Sequence, residues 1–313
     1  MSFLTGARVP NAHSDSIWGV AWSKFGLLTG SLDETVLLWN AGEISRESTA
    51  GAAAPIRTFA GHSLAVCSVA VSPDGVLGAS SSMDGSITVY DLEQQAQLRK
   101  ITLGPTKNWT VAMSNKVVAT GATDGAISMF TARSGEPVES SMKLSTAFAL
   151  SVAFNESGDR LAAGGNKGEL GIMDPGTGQL VQKMTGHSKG IRCIQFAGAD
   201  GQTLLTGSED QTIGIYDVRG GQQVASLAGH NSWVTGVAFP RGPVSAGGVE
   251  RFASCSCDRS VKIWELRTQE PLHCFDQAHS DLVTGIAFGP AGTNQLVTVS
   301  DDASIQFYTV PSH

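Results

Sequence analysis

The sequence predicts an all-β chain: one ring of seven four-stranded sheets, a β-propeller. Three observations predict it. Glycine supplies 37 of 313 residues and charged residues only 16%, against a hydrophobic share of 41%. Tight turns between short strands use glycine, whereas long surface helices need Lys and Glu. Second, one phrase recurs seven times. Third, a His followed by a strand-like alternation stands upstream of five of those seven copies.

The recurring phrase is an anchor residue, usually Asp, followed at fixed offsets by two apolar residues and an aromatic. Asp33 leads to Val36, Leu38 and Trp39; Asp84 to Ile87, Val89 and Tyr90; Asp124 to Ile127, Met129 and Phe130. Lys167 takes the anchor position before Leu170, Ile172 and Met173. Asp210 leads to Ile213, Ile215 and Tyr216; Asp258 to Val261, Ile263 and Trp264; Asp302 to Ile305, Phe307 and Tyr308. Anchor intervals are 51, 40, 43, 43, 48 and 44, which fit a propeller-blade period of roughly 40–45 residues. The two long intervals hold visible insertions, Ala41 to Ala54 and Pro240 to Glu250.

The upstream phrase runs His13 to Trp22, His62 to Val71, His187 to Phe196, His230 to Phe239 and His279 to Phe288. The third and fourth copies keep the strand (Trp109 to Met113, Leu150 to Phe154) without the His. One four-stranded unit cannot bury both faces; stacking seven around an axis does. At about 150 residues per domain the length alone suggests two domains. The repeat makes it one, spanning 1–313. The chain stops just after the seventh anchor strand, so that blade lacks an outer strand. Residues 1–12, chiefly Phe3 to Val9, are expected to supply it and remove an open sheet edge.

The net charge of −7 comes without a basic stripe, which argues against direct nucleic-acid binding. Met1 to Pro10 has no signal-like apolar run, and no stretch approaches 18 apolar residues, so no membrane association is expected. Five cysteines, Cys67, Cys193, Cys255, Cys257 and Cys274, read as buried free thiols of a reducing compartment, with Cys255 and Cys257 on one face of a strand. The sequons at Asn108 and Asn155 carry no meaning without secretion.

His, Ser and Asp recur in every complete unit, the residue types of a nucleophilic triad. An enzyme needs one such site with an oxyanion hole, and repetition in five blades favours a structural hydrogen-bond chain. The histidines lie one per blade, so they cannot converge on a metal. No cofactor motif is present; Gly164 to Gly168 lacks the Gly-Lys-Ser/Thr of a phosphate loop.

The paired phrases resemble the WD40-repeat family over essentially the whole chain. The resemblance implies linked residues within each blade: His13, Ser31, Asp33 and Trp39; His230, Ser256, Asp258 and Trp264. Blades two, five and seven have Tyr for Trp: His62, Ser82, Asp84; His187, Ser208, Asp210; His279, Ser300, Asp302. In this scheme Asp accepts from the imidazole and Ser bridges to the indole. Blades three and four lack the set and are expected to be the softest. Family geometry puts the His loops and Asp turns on one face, the top, and both insertions on the bottom. Residues opening the inner strands then ring the top entrance: Trp18, Cys67, Trp109, Leu150, Arg192, Thr235 and Thr284. Residues before the anchors add Leu32, Met83, Thr123, Glu209, Cys257 and Asp301, with Trp233 nearby. The candidate partner surface is Trp18, Leu32, Met83, Trp109, Arg192, Glu209, Trp233 and Asp301, suited to a short peptide with an apolar side chain and a basic or amide one.

Finer phrases go further: His13 to Trp22, Gly30-Ser31-Leu32-Asp33, Asp91-Leu92-Glu93 through Gly104-Pro105 to Trp109-Thr110, and His230 to Val234. They resemble the WD40 subunits of the superkiller (Ski) complex, shared with the RNA polymerase II-associated factor (Paf) complex. That resemblance implies a non-catalytic, cofactor-free scaffold, monomeric on its own. Its partners would be a tetratricopeptide-repeat protein and a helicase feeding RNA to the cytoplasmic exosome, and in the nucleus Paf elongation subunits. The competing expectation is another WD40 scaffold, a G-protein β-type subunit or a ubiquitin-ligase adaptor. Those resemblances call for an N-terminal coiled coil or an F-box, and twelve residues precede His13.

Overall fold

A computed structural model describes residues 2–44, 54–104, 107–138, 142–145, 147–198, 200–240 and 250–311. It holds seven four-stranded antiparallel sheets. In six of them the strands follow chain order from the inner strand outward, beginning with Ile17–Trp22, Leu27–Ser31, Val36–Trp39 and Pro55–Phe59. The seventh is composite: Val283–Phe288, Gln295–Ser300 and Ile305–Thr309 are completed by Leu4–Val9. Leu4 lies opposite Thr309 and Val9 opposite Ile305. The Gln306 side-chain amide donates to the carbonyls of Gly6 and Ala7, at 3.0 and 3.1 Å. Arg8 pairs with Asp302 at 2.8 Å. The predicted closure is present.

Seven apolar clusters fill the seams between successive blades. At the first seam Leu28, Val36, Leu38 and Phe59 meet Val66, Val69, Val71 and Tyr90. At the closing seam Val297, Val299, Ile305 and Phe307 meet Ile17, Trp22, Leu27 and Trp39. The second strand of each blade is buried on both faces, which is why it reads as an unbroken run of apolar and small residues such as Leu-Leu-Thr-Gly-Ser. A Cβ on Gly30 would lie 2.7 Å from the Val66 and Val69 methyls, so glycine sets how closely blade two approaches.

The anchor turns share one conformation. The residue after each anchor is left-handed: Glu34, Gly85, Gly125, Gly168, Gln211, Arg259 and Ala303, with φ between 59° and 83°. Lys167 does not break this pattern, because Glu169 Oε2 accepts from the Lys167 amide at 3.0 Å and supplies the carboxylate the anchor lacks. The first insertion opens with a short helix, Ala41–Ile44; the rest of it, 45–53, and 241–249 of the second lie outside the described residues. Cys255 is buried in its strand, but Cys257 falls in the turn after Ser256 and not on the strand face. No helix of the described residues is long and apolar enough to cross a membrane.

Candidate functional site: the top face of the ring

The His loops and anchor turns meet on one face, held by hydrogen-bond chains in blades one, two, five, six and seven. In blade one Trp39 Nε1 donates to Thr29 Oγ1 at 2.9 Å, and Thr29 lies 2.8 Å from His13 Nε2. An indole can only donate. The Thr29 hydroxyl accepts from it; the Asp33 carboxylate can likewise only accept, so the neutral imidazole donates from Nδ1 and its Nε2 accepts the Thr29 proton. The bond from Nδ1 to Asp33 is 3.0 Å long. Blade six repeats the chain through Trp264, Ser254, His230 and Asp258.

This corrects the bridging residue. The hydroxyl under the His is not Ser31, Ser82, Ser208, Ser256 or Ser300 but the residue two positions earlier: Thr29, Ser80, Thr206, Ser254 and Thr298. Both positions share a strand face, but the serine sits at the strand's end, beyond reach of the aromatic. It accepts the backbone N–H of the Asp instead, at 3.1 Å in all five blades, and so caps the turn. In blade two Ser80 and Tyr90 Oη are 2.9 Å apart, and in blade seven Thr298 and Tyr308 Oη 3.4 Å. In blade five the Tyr216 hydroxyl is buried without a partner among the described residues. Blade three keeps Thr120 in the bridging position without a His or Trp, and its hydroxyl is buried and unpaired among the described residues. Blade four has Ala163 there and drops the chain entirely.

Burial pushes each anchor carboxyl up, but hydrogen bonds from its neighbours overcome this. For Asp33 these come from His13, Thr35 and Ser14; for Asp302 from His279, Ser304 and Ser280. Both carboxyls, with those of Asp84 and Asp258, are held well below the ordinary range, and that of Asp210 is lowered. Burial also lowers His62, against the pull of Asp84.

The mouth of the ring is built by β-bulges. In six blades the register slips at the second residue of the inner strand: Trp18, Cys67, Leu150, Arg192, Thr235 and Thr284. A bulge re-aims its side chain, and these are the positions expected at the entrance. Two of them are spent on joining blades. Thr235 donates to the Val283 carbonyl at 2.5 Å, and Thr284 to that of Ile17. Trp109 lies just before its strand and carries no bulge. Its ring nevertheless approaches Trp18 of blade one at 6.2 Å and Phe148 before blade four at 5.3 Å. The three half-buried rings form an aromatic arc across part of the mouth.

Trp18 Nε1 donates to Asp301 at 3.1 Å. Burial raises the Asp301 pKa more than this bond lowers it, and nearby Asp281 and Asp15 add to the rise. Arg192 is not free: it pairs with Glu209 at 2.7 Å and lies 4.8 Å over the Trp233 ring. Leu32 is half-buried, while Met83 is 40% and Trp233 43% exposed. Sequence reasoning missed Phe148, Leu64 and Leu282. Phe148 and Leu282 stand two residues before Leu150 and Thr284, the same offset that nominated Trp233 before Thr235, so the signal was available. Asn108 is buried and donates to the Ser82 and Ser86 carbonyls, a seam contact. Among the described residues no group of His, Cys, Asp and Glu could hold a metal ion.

A closed ring of seven such blades with a hydrogen-bonded top defines a class, and the profile of the WD domain, G-beta repeat, matches residues 7–40 and 53–91. The profile for the nucleolar protein 10-like N-terminal domain matches 141–312. The second match covers more than half of the chain, which belongs to the WD40-type β-propellers of this group. Among curated relatives it is similar to WD repeat-containing protein VIP3 of Arabidopsis thaliana, 31% identical over 216 residues, 62% of this chain and 64% of that one. WD repeat-containing protein SL1-17 of Schistosoma mansoni is 35% identical over 194 residues, 59% and 62% of the two chains. The APC/C activator protein CDC20 of Saccharomyces cerevisiae is 26% identical over 159 residues, 50% and 25%. The match spans just under two thirds of the length of the first two.

Proposed function

We propose that the protein is a non-catalytic scaffold whose top face docks short segments of partner proteins. One observation carries this. Four of the nine exposed large apolar side chains among the described residues, Leu64, Met83, Trp233 and Leu282, stand on the His-loop and anchor-turn face, which also carries the aromatic arc. Exposed aromatics and aliphatics grouped this way mark interaction surfaces. The charge at the mouth supports the partner's chemistry. Arg192 is paired with Glu209, and Asp15 and Asp281 gather near Asp301, which holds the Trp18 indole, an acidic cluster on the blade-one and blade-seven side of the mouth. A segment pairing an apolar side chain with a basic one fits, and an amide can replace the base by hydrogen bonding.

The finer reading rests on the family resemblance of the repeat phrases: a WD40 subunit of the Ski complex, acting with a tetratricopeptide-repeat protein and a helicase in 3′-to-5′ mRNA decay, and of the Paf elongation complex. This reading places it in cytoplasm and nucleus. Similarity to VIP3 and SL1-17 agrees with a WD-repeat scaffold. Purification of the tagged protein followed by mass spectrometry tests it: recovery of both Ski partners supports the reading, and recovery of neither refutes it. Trp109→Ala and Arg192→Glu are expected to weaken partner capture at least tenfold while the fold is retained. Unchanged capture in folded variants rules out the top-face site.

A further inference from the structure

Residues 8–18 carry the chain from the closing strand to the mouth, and on the way they grip one turn. Arg8 donates to the Asp302 carboxylate at 2.8 Å. The chain bends at Asn11, left-handed with φ 50°, a conformation that asparagine tolerates. The Ala12 amide then donates to the Ala303 carbonyl at 2.9 Å. Ser16 donates to the Asp301 carbonyl at 3.4 Å, and Trp18 Nε1 to the Asp301 carboxylate at 3.1 Å. Three consecutive residues of the blade-seven anchor turn therefore accept bonds from one segment, which starts on the closing strand and ends at the mouth.

Other bonds of the turn come from the rest of blade seven. His279, Ser280 and Ser304 donate to the Asp302 carboxylate. Ser300 accepts the Asp302 amide, and the Leu282 carbonyl that of Asp301. These bonds fix the shape of the turn; those from residues 8–18 fix where it stands against blade one. Blade two has half of this arrangement. Lys100 stands opposite Thr88 as Arg8 stands opposite Gln306, four residues past the anchor in each case, and it pairs with Asp84 at 3.3 Å. But Met83 precedes that anchor where Asp301 precedes Asp302, and a methionine has no carboxylate to hold an indole. In blade seven the outer-strand cation and the mouth tryptophan meet on adjacent residues; in blade two they do not.

We propose that the closing strand regulates the mouth. Leu4–Val9, seated on Ile305–Thr309, holds the turn at 301–303 in place, and the turn holds the Trp18 ring in the aromatic arc. When the strand lifts, Arg8 leaves Asp302, the turn shifts against blade one, and the Trp18 indole is freed to leave Trp109. Hydrogen-bond chains between rigid elements carry coupling of this kind, and the coupling is reciprocal. Freeing the indole must therefore loosen the strand. The use of this device rests on the top-face reading, because Trp18 lies in that docking surface. The coupling itself is measured with no partner present, so either can fail without the other.

Fluorine NMR and amide hydrogen exchange on the full chain test the two directions. With 5-fluorotryptophan incorporated, the Trp18 signal is identified by its loss in Trp18→Phe. Arg8→Gln is expected to shift or broaden that signal, Arg8→Lys to restore it, and Lys100→Gln to leave it in place. The signals of Trp39 and Trp264, buried in their own blades, should not move in any of the three. The Arg8 side chain is 41% exposed, so these variants are expected to fold. In the reverse direction, Asp301→Ala should speed amide exchange in Leu4–Val9 about fivefold, the lower end for coupled sites. Exchange in Ala96–Thr102, the outer strand of blade two, should keep its rate, and Met83→Ala should change neither strand. Trp18→Phe also removes the indole bond and serves if Asp301→Ala unfolds. A Trp18 signal unmoved by Arg8→Gln overturns the proposal, as does unchanged exchange in Leu4–Val9 when the indole bond is removed. So does an equal response to the blade-two variants.

Discussion

Threonine at one repeat position should have opposite effects in two blades. Thr29 is fully buried and joins Trp39 to His13, at 2.9 and 2.8 Å. Thr29→Val keeps the volume but leaves a buried indole N–H and a buried imidazole nitrogen unpaired. Each orphan costs about 1–3 kcal/mol, so the loss should be roughly 2–6 kcal/mol. Thr120 holds the same register position in blade three, equally buried, with no partner for its hydroxyl among the described residues. Thr120→Val removes an existing orphan and should be neutral or stabilise by about 1 kcal/mol. Ser31→Ala, at the residue first expected to bridge, removes two bonds of its hydroxyl, one accepted from the Asp33 amide and one donated to the Asp15 carbonyl, and should cost about 2 kcal/mol. Urea unfolding followed by far-UV circular dichroism measures all three. Equal signs for the two threonine variants, or a larger loss from Ser31→Ala than from Thr29→Val, would refute the hydrogen-bond assignment.

Deleting residues 1–12 removes the outer strand of blade seven and the Arg8–Asp302 pair; thermal melts should show a large fall, and an unchanged melting temperature would count against closure. Ala303 sits at φ 59°, where a Cβ costs about 1–2 kcal/mol; Ala303→Gly should recover part of that after glycine's larger unfolded entropy, raising the denaturant midpoint. Stability should also fall with acid in two stages, followed as melting temperature against pH. His62 has a lowered pKa in the folded state, so its contribution is full above about pH 6.5 and declines below. The five anchor carboxylates are lowered as well, so theirs is full above about pH 4 and lost as pH falls further. A melting temperature that rises between pH 7 and pH 5 would contradict the first sign, and one that rises as pH falls below about 4 the second.

The sequence by itself determined the repeat, and with it the ring, the blade count and the strand that closes the circle. These are periodic properties, and a period is written along the chain. The His–Asp pairs and the placing of the inner-strand residues at the mouth came from the resemblance to the WD40 family, not from the spacing. Only the tertiary structure decided what those residues do there. Trp18, Trp109 and Phe148 belong to blades one, three and four, and only the closed ring brings them together. Arg192 looked like a free anchor until its pairing with Glu209 and stacking on Trp233 appeared. The bridging hydroxyl was misplaced by two residues because both candidates share a strand face, and spacing cannot say which lies under the indole. The grip of residues 8–18 on the turn at 301–303 joins the two ends of the chain, a juxtaposition set by closure of the ring and absent from any single copy of the motif.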